Sequence, residues 1–231
     1  MKLSQFRRII KEEVRNLNEQ ISSIELDDII NKLTQYTKMD GEWASGVNLS
    51  ELFKNIDIKK AKKDYPKIFD LPKYSNDTYF FRGSARPLKF LKSLGEPDEV
   101  ITGDFVKRLR NYYYGISEPM LLSWNNRKVT FSSEVQSWSI FIEVALGFAD
   151  SSSSWNQPDY DLKDDLPIIF MINYGKNKDN IFMNPKWMTS ISGIKEGELF
   201  HKNKTPVVDV AIVVDKKIKK MYSKFIDNYL K

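Results

Sequence analysis

Apolar residues at the start of the chain recur at three- and four-residue spacing: Leu3, Phe6, Ile9, Ile10, Val14 and Leu17 fall on one face. Arg7, Arg8, Lys11, Glu12 and Arg15 fill the rest of the turn, so the pattern predicts an amphipathic helix over 1–17, with Ser4 as its cap. A second helical pattern runs through Ile24, Ile29, Ile30 and Leu33 and is broken at Asp40-Gly41 and Ser45-Gly46. Asn48-Leu49-Ser50-Glu51 opens another short helix, and the basic run 59–63 reads as a solvated face. Loop residues Asp70-Leu71-Pro72 and Ser75-Asn76-Asp77 place the start of the main domain near residue 77.

From there the period changes. Asp77-Thr78-Tyr79-Phe80-Phe81-Arg82-Gly83 is aromatic and β-prone and ends on an arginine and a glycine. Phe105, Leu109 and Tyr113 then follow at helical spacing. Val135-Gln136-Ser137-Trp138-Ser139 reads as a strand, followed by Phe141, Val144, Ala145 and Phe148 at i, i+3, i+4 and i+7, an amphipathic helix. Further on, Gly193-Ile194-Lys195-Glu196-Gly197-Glu198-Leu199-Phe200 sets two carboxylates one residue apart. On a strand both would project from the same side of the sheet. Side by side they repel, which costs stability unless a cation or substrate faces them. From 216 onward, Met221, Phe225, Ile226 and Leu230 form the apolar side of a charged helix.

Composition removes several chemistries. At 231 residues, 41% hydrophobic and 13% aromatic, the chain is long enough for one large domain with an appended piece. No apolar run reaches the ~20 residues of a membrane span, and the charged N-terminal pattern is not that of a secretory signal. There are no cysteines, hence no disulfide, thiol nucleophile or thiolate metal site. The single histidine, His201, lacks companions for a metal site and is expected as a partly exposed strand residue. Net charge is +5, from 36 basic against 31 acidic residues spread along the chain.

Three separated pieces carry chemistry. An arginine at the end of a buried strand, Arg82, either caps the sheet with a salt bridge or offers its planar fork to phosphate oxygens, with Gly83 letting a flat ligand approach the backbone. A hydroxyl at the end of the 135–139 strand either caps the following helix or fixes a facing carboxylate. In this order, Phe81-Arg82-Gly83, Ser137-Trp138-Ser139 and Glu196-Gly197-Glu198 resemble the signature of the R-S-E class of ADP-ribosyltransferases, the arginine-modifying toxins and phage enzymes. The likeness covers about residues 77–214. Phe131-Ser132-Ser133 also resembles the serine element, but only Ser137 is followed directly by the helix ending in Phe148-Ala149. The opening 14 residues resemble short leaders on proteins of tailed phages.

The resemblance implies an α+β domain at 77–231: a split β-sandwich of two small, mostly antiparallel sheets around an NAD cleft. A leader helix at 1–20 and a helical region at 21–76 precede it. It implies NAD+ as substrate, no metal, and transfer of ADP-ribose to arginine. Glu198 would stabilise the ribose cation, Glu196 would orient and deprotonate the acceptor, Arg82 would hold the phosphates, and Gly83 would bond the nicotinamide amide. Ser137 would orient Glu198, with Ser139 and Trp155 as further NAD+ contacts; Tyr160 is a second candidate for stacking. Residues 183–192, with Trp187 as an exposed aromatic, would recognise the acceptor. The implied partner is a host protein, with RNA polymerase and the translation machinery as candidates, in the bacterial cytoplasm; packaging with the phage capsid is a further implied role. Two other readings stand beside it: an NAD+ glycohydrolase of the same fold, and a non-enzymatic virion or nucleic-acid-binding protein. Against the last, basic residues are interspersed with acids and form no phosphate-tracking stripe.

Overall fold

The computed structural model describes residues 27–36, 47–102, 120–151, 165–192 and 197–230. The chain divides into two compact units, Met1–Asn55 and Ile56–Lys231. In the first, residues 27–36 form helix α1 and Leu49–Leu52 form α2. Asn48 caps α2, its side chain accepting from Glu51 N at 3.1 Å, as the local sequence predicts. Ile29, Leu33, Leu49 and Phe53 are its buried residues of helical spacing.

The second unit opens with helices α3 (Ile58–Asp64) and α4 (Pro66–Phe69). Then come β1 (Tyr79–Pro87), α5 (Leu88–Ser93), β2 (Glu99–Ile101), β3 (Leu121–Lys128), β4 (Val135–Ser139) and α6 (Ile142–Ser151). The chain continues through β5 (Asp165–Asn173), α7 (Tyr174–Asn177), β6 (Ile181–Phe182), α8 (Pro185–Ser192), β7 (Glu198–Lys202) and β8 (Val207–Val213). Helices α9 (Lys216–Met221) and α10 (Ser223–Tyr229) close it. Residues 56–76 thus count with the larger unit; Asn184 N donates to Ile68 O at 2.7 Å and Met183 N to Phe69 O at 3.1 Å. Asp57 caps α3 by accepting from Lys59 N and Lys60 N. Of the basic run, Lys62 is not simply solvated: its Nζ donates to Lys178 O, and burial lowers its pKa.

The eight strands form one antiparallel sheet in the order β2-β3-β8-β5-β1-β4-β7-β6. β5 is central and apolar throughout its middle because both its faces are covered. Leu166, Ile168, Phe170 and Ile172 enter one core with Phe80, Trp124, Val210 and Ile212. Leu88 and Phe90 of α5 and Met221 and Phe225 of α9 and α10 pack against that core. Ile169 and Met171 point the other way, joining Phe81, Ala211 and Val213 beneath Ile142, Ala145 and Leu146 of α6. Truncating a side chain as enclosed as Phe170 costs about 3–5 kcal/mol.

Mixed α and β structure is as expected; a single sheet replaces the two expected. The reason lies in β1. It pairs with β5 along its whole length, Tyr79↔Asn173 to Pro87↔Asp165, but meets β4 at one position, Phe81↔Ser139. Five strands on one side and three on the other therefore share one sheet through a single pair, then diverge. α6 also presents a different side from the one its spacing predicts. Phe141 and Phe148 are 43% and 53% exposed, and the buried stripe is Ile142, Ala145, Leu146 and Ala149. Small residues are required there because α6 crosses β1 at Gly83, where a Cβ would lie 1.7 Å from Ala145 O. Likewise, the C-terminal helix breaks in two at Tyr222, burying Ile218 and Ile226 while Leu230 is 56% exposed.

Two glycines give a paired test. Gly83→Ala overpacks a helix–strand contact that has no flexible atom to yield, and should cost about 3 kcal/mol or more. Gly147→Ala, in α6 with open space around it, should stabilise by about 0.5–1 kcal/mol. Urea denaturation of the two variants measures both; equal midpoints would contradict the packing described.

Candidate active site

The three sequence elements converge where β1 and β4 part. β4 lies against β7 in the register Ser139↔Glu198, Trp138↔Leu199 and Ser137↔Phe200, so Ser137, Ser139 and Glu198 share one face. Ser137 Oγ donates to Glu198 Oε1 at 2.5 Å. The hydroxyl and the carboxylate come from residues 61 apart in sequence and are placed by strand register rather than by a loop.

Arg82 reaches the same residue from the other side. Its Nη1 donates to the Ser137 carbonyl at 2.7 Å, and its guanidinium lies 5.9 Å from the Phe131 ring centroid. The backbone pattern explains why that carbonyl is available. Ile140 N donates to Gly197 O, so the even residues of β4 bond β7 and the odd ones, Ser137 among them, point toward β1. Tyr174 N donates to Thr78 O, so the even residues of β1 bond β5, and Gly83 and Ala85 point toward β4. With the strands diverging after Phe81, the guanidinium occupies the position a β1 amide would have filled. Ser137 is thus held at both ends, carbonyl by Arg82 and hydroxyl against Glu198. The β4-facing edge at Gly83 carries no register pair.

The remaining predicted residues divide. Ser139 is buried and its Oγ accepts from Phe141 N at 2.9 Å, just before α6 begins. The side-chain face of Gly83 is filled by α6, so glycine there answers a helix crossing, and only its backbone edge faces the opening. Glu196, Trp155 and Tyr160 lie outside the described residues. Gly197 has φ +61°, and a Cβ on it would sit 2.3 Å from Ile140 Cγ1. What approaches this glycine closely is the chain's own Ile140. Trp187 is half-buried on α8 rather than exposed on a loop. Of the rival serines, Ser132 is exposed and Ser133 Oγ donates to its neighbour Val135 O at 2.8 Å; neither is bonded to Glu198. Phe131, which the sequence marked only as part of that rival motif, is the ring beneath Arg82.

His201 corrects the expectation of a partly exposed strand residue: it is fully buried on β7. Its ring meets Trp138 edge-on, and Nδ1 lies 3.4 Å from Gln136 Oε1. Gln136 Nε2 donates to Ser133 O, which turns its oxygen toward the imidazole and assigns the proton to Nδ1. Nε2 is left buried without a hydrogen-bond partner. Burial lowers the His201 pKa to about 4, so the ring is neutral at neutral pH.

Among the described residues no group of three or more His, Cys, Asp or Glu side chains could hold a metal ion, and no helix is long and apolar enough to cross a membrane. Comparison with known proteins found no matching family model, no matching curated protein and no matching solved structure.

The buried imidazole dictates a pH dependence. Its folded pKa lies below the unfolded value of 6.5, so the unfolded chain binds the proton first as pH falls. The stability involved is fully present above pH 6.5, is lost as pH drops from 6.5 to about 4, and amounts to about 3 kcal/mol. Chemical denaturation across this window should show a shallower loss in His201→Leu than in the wild type. Parallel curves would remove His201 as the source.

Proposed function

We propose that this chain is an R-S-E-class mono-ADP-ribosyltransferase that moves ADP-ribose from NAD+ to arginine side chains of host proteins. The observation that carries the reading is the Ser137 hydroxyl on Glu198 at 2.5 Å, beside the carbonyl that Arg82 holds where β1 and β4 part. In this reading the five-strand and three-strand portions are the two halves of a split sandwich, and NAD+ enters the opening between them.

The chemistry suits the residues. The bond from ribose C1′ to the nicotinamide nitrogen breaks, and its electron pair leaves with nicotinamide. The resulting oxocarbenium ion is stabilised by a fixed negative charge, which Glu198, oriented by Ser137, supplies. A guanidine nitrogen of the acceptor then bonds C1′, and its proton passes to Glu196, which makes an otherwise protonated, poorly nucleophilic group reactive. Arg82 takes the NAD+ phosphates in its planar fork. The backbone edge of Gly83, which has no strand partner on the β4 side, bonds the nicotinamide amide. The acceptor is met in the host cytoplasm, and the first 20 residues act as a virion-packaging segment.

Incubation with labelled NAD+ and a bacterial lysate tests this. Wild type should label discrete proteins, and Glu198→Gln should lower labelling a hundredfold or more, on the order of other losses of transition-state charge stabilisation. Glu196→Gln should keep nicotinamide release while losing label, and Ser137→Ala should lower kcat about tenfold with KM little changed. Nicotinamide release without label from the wild type would make the protein a glycohydrolase. Neither, from a folded protein, would sink the NAD+ reading.

A further inference from the structure

A second concave site lies further along the same strand. The end of β1, α5 and residues 127–132 enclose a cavity of about 550 Å³, within the ~300–1,000 Å³ of small-molecule sites. Arg86 lies on the same face of β1 as Arg82, four residues on and therefore about 13 Å away. Its guanidinium lies 5.7 Å from the Phe170 ring centroid, and Phe170 in turn meets Phe131, the ring beneath Arg82, edge-on at 5.1 Å.

The charge balance of this cavity is one-sided. Among the described residues its walls contribute Arg86, Arg127 and Lys128 and no carboxylate. Arg127 is partly answered from outside the cavity by Asp98, at 2.9 Å, and by Asn125 O, although its Nε is buried without a hydrogen-bond partner. Arg86 is half-buried, and neither it nor Lys128 has a carboxylate partner among the described residues. An uncompensated, partly desolvated guanidinium is costly, and an anion at the mouth would offset that cost. The cavity also has hydroxyls to offer, from Thr130 and Ser132, and an apolar wall made by Phe90, Leu94 and Val129. Cations and hydroxyls beside an apolar wall match a ligand with a phosphate at one end and an apolar ring at the other.

We propose that this cavity binds a nucleoside monophosphate, with Arg86 and Lys128 taking the phosphate and the Phe90–Leu94 wall taking the base. Arg127, anchored by Asp98, positions the strand end that carries Lys128. The assignment does not rest on the transferase reading, because a nucleoside monophosphate has no nicotinamide bond to break.

Calorimetric titration of the full chain with AMP, adenosine, inorganic phosphate and a 20-mer single-stranded oligonucleotide tests it. AMP should bind at least about tenfold more tightly than adenosine or phosphate, the equivalent of at least one charge-assisted hydrogen bond. Arg86→Gln and Lys128→Gln should each weaken AMP about tenfold or more. Lys128 is exposed, so its variant stays informative if Arg86→Gln fails to fold. No AMP binding, binding unchanged in Lys128→Gln, phosphate binding as tightly as AMP, or binding of the oligonucleotide alone would each overturn the proposal.

Discussion

Everything at the candidate site depends on one carbonyl. The Ser137 C=O faces β1 at the point where β1 no longer lies alongside, and a buried backbone acceptor left open there would cost about as much as a lost hydrogen bond. Arg82 fills the place with a long side chain instead of a neighbouring amide, and so lets the strands separate without exposing the ladder. α6 makes the separation permanent. It lies against β1 at Gly83, and its start is tied to β4 through Ser139 and Phe141 N. The opening is therefore a built gap, and the Ser137–Glu198 pair stands on its β4 side.

The division of labour within Ser137-Trp138-Ser139 follows from strand alternation. Trp138 turns into the core with Phe131 and His201, fixing the strand's depth. The two serines turn to the opposite face, where one orients a carboxylate and the other starts a helix. Either role was legible for each hydroxyl from the sequence. Assigning them took the register with β7, which pairs Ser139 with Glu198 and sets Ser137 diagonally across.

How much could be read in advance depended on whether the determining contact was local. The β1 run, the β4-to-α6 transition and the short helix opening at Asn48 follow from neighbours in sequence and are present, although β1 does not end at Arg82-Gly83 but continues to Pro87, where β5 still pairs with it. The number of sheets did not follow, because it depends on one long-range pair, Phe81↔Ser139. Of the expected apolar face of α6 only Ala145 is fully buried; Phe141 and Phe148 drew the reading to one side, while the close crossing at Gly83 admits small residues and turns Ile142, Leu146 and Ala149 inward. His201 was misplaced for a related reason, since nothing near it in sequence announces Trp138 and Gln136 as neighbours. Arg86 gave no signal, being one arginine among many until Phe170 and the cavity are set around it.

Gly197 is a position that cannot drift. Its left-handed backbone and its contact with Ile140 leave no room for any side chain just before β7 begins. A lineage descended from this sequence must therefore keep glycine at 197 if Glu198 is to stay in its register opposite Ser139. The glycine and the strand pair beside it are thus inherited together.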